Sequence, residues 1–340
     1  MKGIVFPGND RAELREFQDP EPRYGEVVVG VRASGMCGSD LHAYHAPAAD
    51  GQERVIQGHE PCGVVEKIGE GVPSHVAQVG DRVMIHHYWG CGTCSECRSG
   101  WSQLCTSMEP RISSVNEHGG HASMIKVPAA QILPLPDELS FKAGAAIACG
   151  TGTAWGALLR LGDVGGKTLV VVGQGPVGAS ATMLGVALGA RVIAVDLSDA
   201  RLHKALRFGA DAVINPANED VADAVRRLTG GTGAELMMET SGNSRGAQSG
   251  IDSLAIWGRG CFVGVGADVH FNTRDTLRRQ LTLLTSWTMS TVEQMRCARF
   301  VMERNLPVDD LFTHTWSLGD AEDAYRWFSE QTDGKGVFVP

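Results

Sequence analysis

A chain of 340 residues is too long for one ordinary hydrophobic core, so two domains are expected. Its 43% hydrophobic and 20% charged residues suit a globular protein, and its net charge of −9 argues against a nucleic-acid or anionic-membrane partner. No apolar stretch nears the roughly 18–20 residues of a membrane helix, and nine cysteines behind a start with no signal peptide point to a reducing, cytoplasmic setting.

The first 150 or so residues read as β-rich, with strands at 26–33, 64–65 and 82–85 and no long amphipathic helix. Cys37, followed by Gly38-Ser39-Asp40-Leu41-His42, lies in the loop after the first of these strands, and Gly58-His59-Glu60 comes twenty residues later. His86-His87-Tyr88-Trp89 then precedes a lobe at about 90–106 that holds Cys91, Cys94, Cys97 and Cys105 in the spacing C-x2-C-x2-C-x7-C. Four thiolates so spaced can enclose one tetrahedral Zn²⁺ with no position left open, the mark of a structural site. A pair of disulfides is the competing reading, and the two-residue spacings make it awkward.

At Cys149-Gly150 the pattern changes to strands alternating with helices. Strands are expected at 168–172, 191–195, 212–214, 235–238, 260–265 and 281–285, with helices at 176–188, 199–208, 219–228 and 245–254 between them. This alternation predicts an α/β domain, a doubly wound parallel sheet covered by helices. A helix at 292–304, a strand at 312–316, a helix at 321–332 and a strand at 336–339 complete the chain. That tail is short for a separate domain and is expected to return to the N-terminal one.

Gly173-Gln174-Gly175-Pro176-Val177-Gly178 is a G-x-G-x-x-G that follows a strand and opens a helix, the setting in which glycines admit a pyrophosphate to the helix N-terminus. Asp196 ends the next strand, where a carboxylate binds both hydroxyls of the adenosine ribose and repels a 2′-phosphate, so NAD is expected over NADP. Arg201, five residues on, either covers the adenine side or softens that repulsion. Cys37, His59 and Cys149 form a second donor set, and two cysteines with one histidine leave one tetrahedral position open, as a catalytic zinc requires.

Together these features resemble the zinc-containing medium-chain alcohol dehydrogenase family, over essentially the whole chain and with five motifs in order: the segment from Cys37, Gly58-His59-Glu60, the four-cysteine lobe, Cys149 and the glycine fingerprint. The resemblance implies a GroES-like β-rich catalytic domain (1–150), a Rossmann domain (151–289) and a C-terminal return (290–340). It implies two zinc ions per chain, one catalytic on Cys37, His59 and Cys149 and one structural on Cys91, Cys94, Cys97 and Cys105. Asp40 would orient His59, Glu60 would approach the metal transiently, Ser39 and His42 would relay the proton, and Thr153 and Val177 would pack on the nicotinamide. The implied reaction is hydride transfer between a primary or secondary alcohol or polyol and NAD, in a homo-oligomer (dimer or tetramer) without nucleic-acid or membrane partners.

Gly38 is like the sorbitol and threonine dehydrogenase branches, whereas Cys149 is a ligand that those branches often lack. An amino-alcohol or sugar dehydrogenase is therefore the alternative. A zinc-free quinone or enone reductase on the same scaffold is disfavoured by Cys37, His59 and the four-cysteine lobe.

Overall fold

The computed structural model describes residues 1–48, 54–330 and 334–340. They divide into two compact units, Met1–Cys149 with Ser290–Pro340, and Gly150–Met289.

The first unit is built on a seven-stranded sheet. Its central strand, Glu26–Gly35, carries the valine run Val27, Val28, Val29 and Val31, all buried, because partners flank it on both sides. Antiparallel pairing sets Gly35 opposite Glu60, the first residue of strand Glu60–Ile68. On the other side the C-terminal strand Lys335–Phe338 pairs with the same segment, Val337 opposite Gly35 and Phe338 opposite Ser34. This register brings the Cys37 loop, His59-Glu60 and Lys335 to one place. Beside it lies a core of Ile4, Phe6, Met36, Tyr44, Tyr325 and Phe338.

The second unit is a six-stranded, all-parallel sheet in the spatial order Ala212–Ile214, Arg191–Val195, Thr168–Val172, Ala234–Glu239, Leu254–Phe262, Thr282–Thr285. Numbered along the chain this is 3-2-1-4-5-6, the order of doubly wound dinucleotide-binding sheets. Thr168–Val172 is buried at every position, as a strand covered on both faces must be. Ser198, Asp220 and Asn243 cap the helices that follow them with side-chain oxygens.

The structure departs from the expected elements in several places. Helix Gly150–Leu161 was not expected. All of it but Leu159 and Arg160 is buried, so it has no polar face to create a helical period. The strand expected at 260–265 runs instead from Leu254 to Phe262, with a register shift in its pairing near Ala234 and Leu236. Its early half exposes Ile256 and Trp257, which hides the apolar pattern. Strands Lys2–Val5, Met124–Pro128 and Ile132–Pro134 are additional. The helix expected at 321–332 is Ala321–Ser329, and 331–332 lie outside the described residues.

Candidate active site

Cys37 sits two residues beyond the central strand, His59 immediately precedes its partner strand and Glu60 opens it, and Cys149 lies between helices Phe141–Ile147 and Gly150–Leu161. Ligand atoms of these four residues all lie within 4.8 Å of one another. Cys37 Sγ and Cys149 Sγ are 4.0 Å apart. Two thiolates about 2.3 Å from one tetrahedral zinc stand roughly 3.8 Å apart, so the spacing suits a shared ion and is far from a disulfide at about 2.05 Å.

His59 is held by its Nδ1, 2.9 Å from Asp40 Oδ1, which leaves Nε2 to face the sulfurs. Asp40 Oδ2 accepts the Cys37 amide at 2.8 Å. Ser39 Oγ lies 3.3 Å from Cys37 Sγ and 3.5 Å from His59 Nε2. His42 is exposed on the short helix Asp40–Tyr44. The Cys37 thiol is pulled well down, first by the Cys149 thiol and then, against burial, by the charge of His59. Burial opposes protonation of His59, yet Asp40 and the Cys37 thiolate together hold its pKa well above the usual value.

Glu60 is fully buried and ion-paired with Lys335, its Oε2 2.6 Å from Nζ, while Lys335 also donates to the Met36 carbonyl at 2.8 Å. Burial pushes the Glu60 pKa up to about 7 against the pull of Lys335. Its Oε1 has no hydrogen-bond partner among the described residues. An orphaned carboxylate oxygen beside two thiols and an imidazole is a donor set that fits a zinc ion.

The sulfur atoms of Cys91, Cys94, Cys97 and Cys105 also lie within 4.8 Å of one another. All four cysteines are free, and Cys94 and Cys105 sulfurs are 3.9 Å apart, which argues against the disulfide reading. Backbone amides of Thr93 and Cys94 donate to Cys91 Sγ at 3.4 and 3.3 Å, and the Cys91 amide donates to Cys105 Sγ at 3.4 Å. The Thr93 hydroxyl, followed by these amides, draws the Cys91 thiol down to about 5. These donors favour the thiolate at Cys91, whereas burial pushes the Cys97 thiol up to about 12.

In the second unit, helix Pro176–Ala187 starts directly after the fingerprint, with Gly175 as its N-cap and Pro176 at its first turn. A Cβ on Gly178 would lie 1.8 Å from the Gly173 carbonyl oxygen, whereas one on Gly175 would meet nothing within 4 Å. Gly178 thus serves strand–helix packing and Gly175 leaves open space at the helix N-terminus. That space fits a pyrophosphate. Asp196 accepts the amides of Gln174 at 2.6 Å and Ser198 at 2.8 Å, and Arg201 Nη1 is 3.8 Å from its Oδ2. Thr153 is buried on its helix and Val177 half-buried on the next.

Two sequence families match the chain: the alcohol dehydrogenase GroES-like domain over residues 23–137 and the zinc-binding dehydrogenase domain over residues 176–303. An uncharacterized zinc-type alcohol dehydrogenase-like protein of Escherichia coli K12, YphC, is 36% identical over 99% of this chain and 98% of its own length. The chain belongs to the zinc-type medium-chain alcohol dehydrogenase family. An L-threonine 3-dehydrogenase of Pyrococcus horikoshii is 32% identical over 96% of this chain and 95% of that protein. The alcohol dehydrogenase TADH from Thermus sp. ATN1 superposes with a TM-score of 0.91 at 28% identity, covering 100% of this chain and 99% of that one.

This dehydrogenase is thus an oxidoreductase that transfers hydride between an alcohol and NAD, with zinc as its metal, on a GroES-like unit and a Rossmann sheet. No described helix is long and apolar enough to cross a membrane. Sequence reasoning missed Lys335, Tyr325 and Ser34 around the donor set, because each is a lone residue in an ordinary strand or helix. His86, His87, Tyr88 and Trp89 are all buried. Cys62, Cys261 and Cys297 are fully buried, apolar-like thiols, and Trp287 is half-exposed.

Proposed function

We propose that this dehydrogenase holds two zinc ions per chain and oxidises a hydroxyl-rich secondary alcohol of the polyol class. The observation that carries the reading is the convergence of Cys37, His59 and Cys149 with the orphaned Glu60 oxygen beside them. Zinc on Cys37, His59 and Cys149 would supply Lewis acidity to an alcohol hydroxyl, and NAD, its pyrophosphate at Gly175 and its ribose at Asp196, would accept the hydride. Loss of a hydride and a proton from the H–C–O–H group leaves the carbonyl. Ser39 Oγ, 3.5 Å from His59 Nε2, would take that proton and pass it through the cofactor ribose to His42, which is exposed to solvent. Asp40 keeps His59 in its metal-facing orientation, and Lys335 holds Glu60 in reserve beside the donor set.

His87 supports the polyol class. It is 2% exposed, its ring centroid is 5.0 Å from that of His59, and its Nδ1 has no hydrogen-bond partner among the described residues. Burial keeps the ring neutral, and its bond to the Ala148 backbone leaves Nδ1 as an acceptor. A second substrate hydroxyl satisfies that acceptor. The threonine dehydrogenase relative supports an amino alcohol as the second reading. The cation that its carboxylate needs is not Lys335, which is committed to Glu60 and Met36.

The test is a panel of simple alcohols, polyols, sugars and L-threonine, each with NAD and NADP, on the parental enzyme and on His87→Phe. A polyol is expected to give the highest kcat/KM with NAD, and His87→Phe to lower it about tenfold while sparing a simple secondary alcohol. L-threonine as the best substrate overturns the polyol class. Exposed Ile256, Trp257, Val265, Phe271 and Leu277 support a homo-oligomer, which sedimentation would reveal. Two thiol-rich donor sets suit a reducing compartment such as the cytoplasm.

A further inference from the structure

Behind His59 the hydrogen bonds do not stop at Asp40. Asp40 is 4% exposed, and its Oδ2 also accepts from Tyr325 Oη at 3.2 Å. Tyr325 Oη is 2.7 Å from His121 Nε2, and His121 Nδ1 is 2.8 Å from Ser34 Oγ. Ser34, His121 and Tyr325 are all 0% exposed. One assignment of protons satisfies every link. Ser34 donates to His121 Nδ1, His121 donates from Nε2 to the Tyr325 oxygen, and Tyr325 donates to the Asp40 carboxylate. The reverse direction fails, because an ionised carboxylate has no proton to give.

The chain is anchored in three separate parts of the first unit. Ser34 belongs to the central strand and His121 to the loop before strand Met124–Pro128. Tyr325 comes from helix Ala321–Ser329, 285 residues beyond Asp40 in the sequence, and is packed edge-on against Phe6 at 4.6 Å and stacked on Tyr44. Room for His121 is made at the metal ligand itself. Gly58, with φ +87°, precedes His59, and a Cβ there would lie 2.3 Å from His121 Nδ1. The glycine beside the ligand is thus required by the histidine behind it. Burial, against the pull of Asp40, holds His121 down to about 4, so it stays the neutral tautomer that this direction needs.

We propose that Tyr325, His121 and Ser34 are positioning residues that fix the Asp40 carboxylate, and through it the His59 ring, in the orientation that retains the metal. Without the Tyr325 hydroxyl, Asp40 Oδ2 loses a donor in a place that water does not reach. The Cys37 amide is then the remaining donor to that oxygen, and the carboxylate is a less firmly fixed partner for His59 Nδ1. Outer partners of metal-bound imidazoles typically govern about 10–100-fold in metal affinity, and one layer farther out the lower end applies. The inference rests on Cys37, His59 and Cys149 holding zinc.

The test follows zinc release from the full-length, zinc-loaded protein to a chromophoric chelator. Two phases are expected, and the one missing in Cys149→Ala belongs to the Cys37, His59 and Cys149 set. Tyr325→Phe, which removes one oxygen from an aromatic cluster, is expected to speed that phase about tenfold and leave the four-cysteine phase unchanged. Ser34→Ala should shift it in the same sense but less. In an Asp40→Asn background the Tyr325→Phe effect should vanish, since both act through one carboxylate. A folded Tyr325→Phe protein with parental release rates, or one whose effect persists without the Asp40 charge, overturns the inference. A merely structural role would lower Tm and leave release untouched. If Cys149→Ala leaves both phases in place, it is the zinc assignment that has failed instead.

Discussion

Asp196 illustrates how one side chain can shape a turn and be proposed for a ligand contact as well. Its carboxylate already accepts the Gln174 and Ser198 amides, so it shapes the glycine-rich turn beside the proposed ribose contact. Glycine at this position would remove both roles at once, whereas asparagine keeps an acceptor and removes only the charge. Asp196→Asn is therefore expected to cut the preference for NAD over NADP about tenfold, chiefly by lowering KM for NADP. An unchanged ratio of kcat/KM for the two cofactors would mean that the charge does not discriminate. Asp196 was legible because its distance from the glycines is set by one strand–helix–strand unit. Lys335 was not, because a lone lysine between two glycines carries no spacing to read, and only the pairing of strands far apart in sequence sets it against Glu60.

Among the elements, the four-cysteine lobe is the most self-contained. It has two short helical turns, Ser95–Arg98 and Ser102–Leu104, with few buried apolar side chains, so the proposed zinc would be its main organiser. Cys94→Ser should lower Tm and the yield of folded protein while the surviving fraction keeps near-parental kcat. Unchanged thermal unfolding would argue against a structural zinc. The strand segment before the lobe is tied to the C-terminal return through His86, whose Nδ1 meets Gln294 Oε1 at 3.0 Å in full burial. Burial lowers the His86 pKa, opposed by Gln294. The unfolded chain then binds the extra proton, so this contribution to stability is complete above about pH 6.5 and is lost as pH falls below it. Tm should therefore drop more steeply on acidification for the parental protein than for His86→Gln, and parallel curves would contradict this. At this scale the sequence revealed the strands and helices whose two faces differ. It concealed helix Gly150–Leu161 and strand Leu254–Phe262, where burial or exposure erases the period.

For the molecule as a whole, the doubly wound order of the second unit was implicit in the strand–helix alternation, since right-handed crossovers leave few other arrangements. The first unit was less readable. Its seven-stranded sheet gathers strands from residues 26 to 338, and no local pattern announces that the last strand closes beside the first long one. That closure delivers Tyr325 and Lys335 to a donor set whose ligands come from the first 149 residues. The account stands on a zinc ion held by Cys37, His59 and Cys149 in this family member. Anomalous diffraction at the zinc absorption edge from crystals of the purified protein tests it most directly. Two peaks per chain are expected, one among the Cys91, Cys94, Cys97 and Cys105 sulfurs and one bonded to Cys37 Sγ, His59 Nε2 and Cys149 Sγ. A peak in the lobe alone, in zinc-replete and active protein, would contradict it.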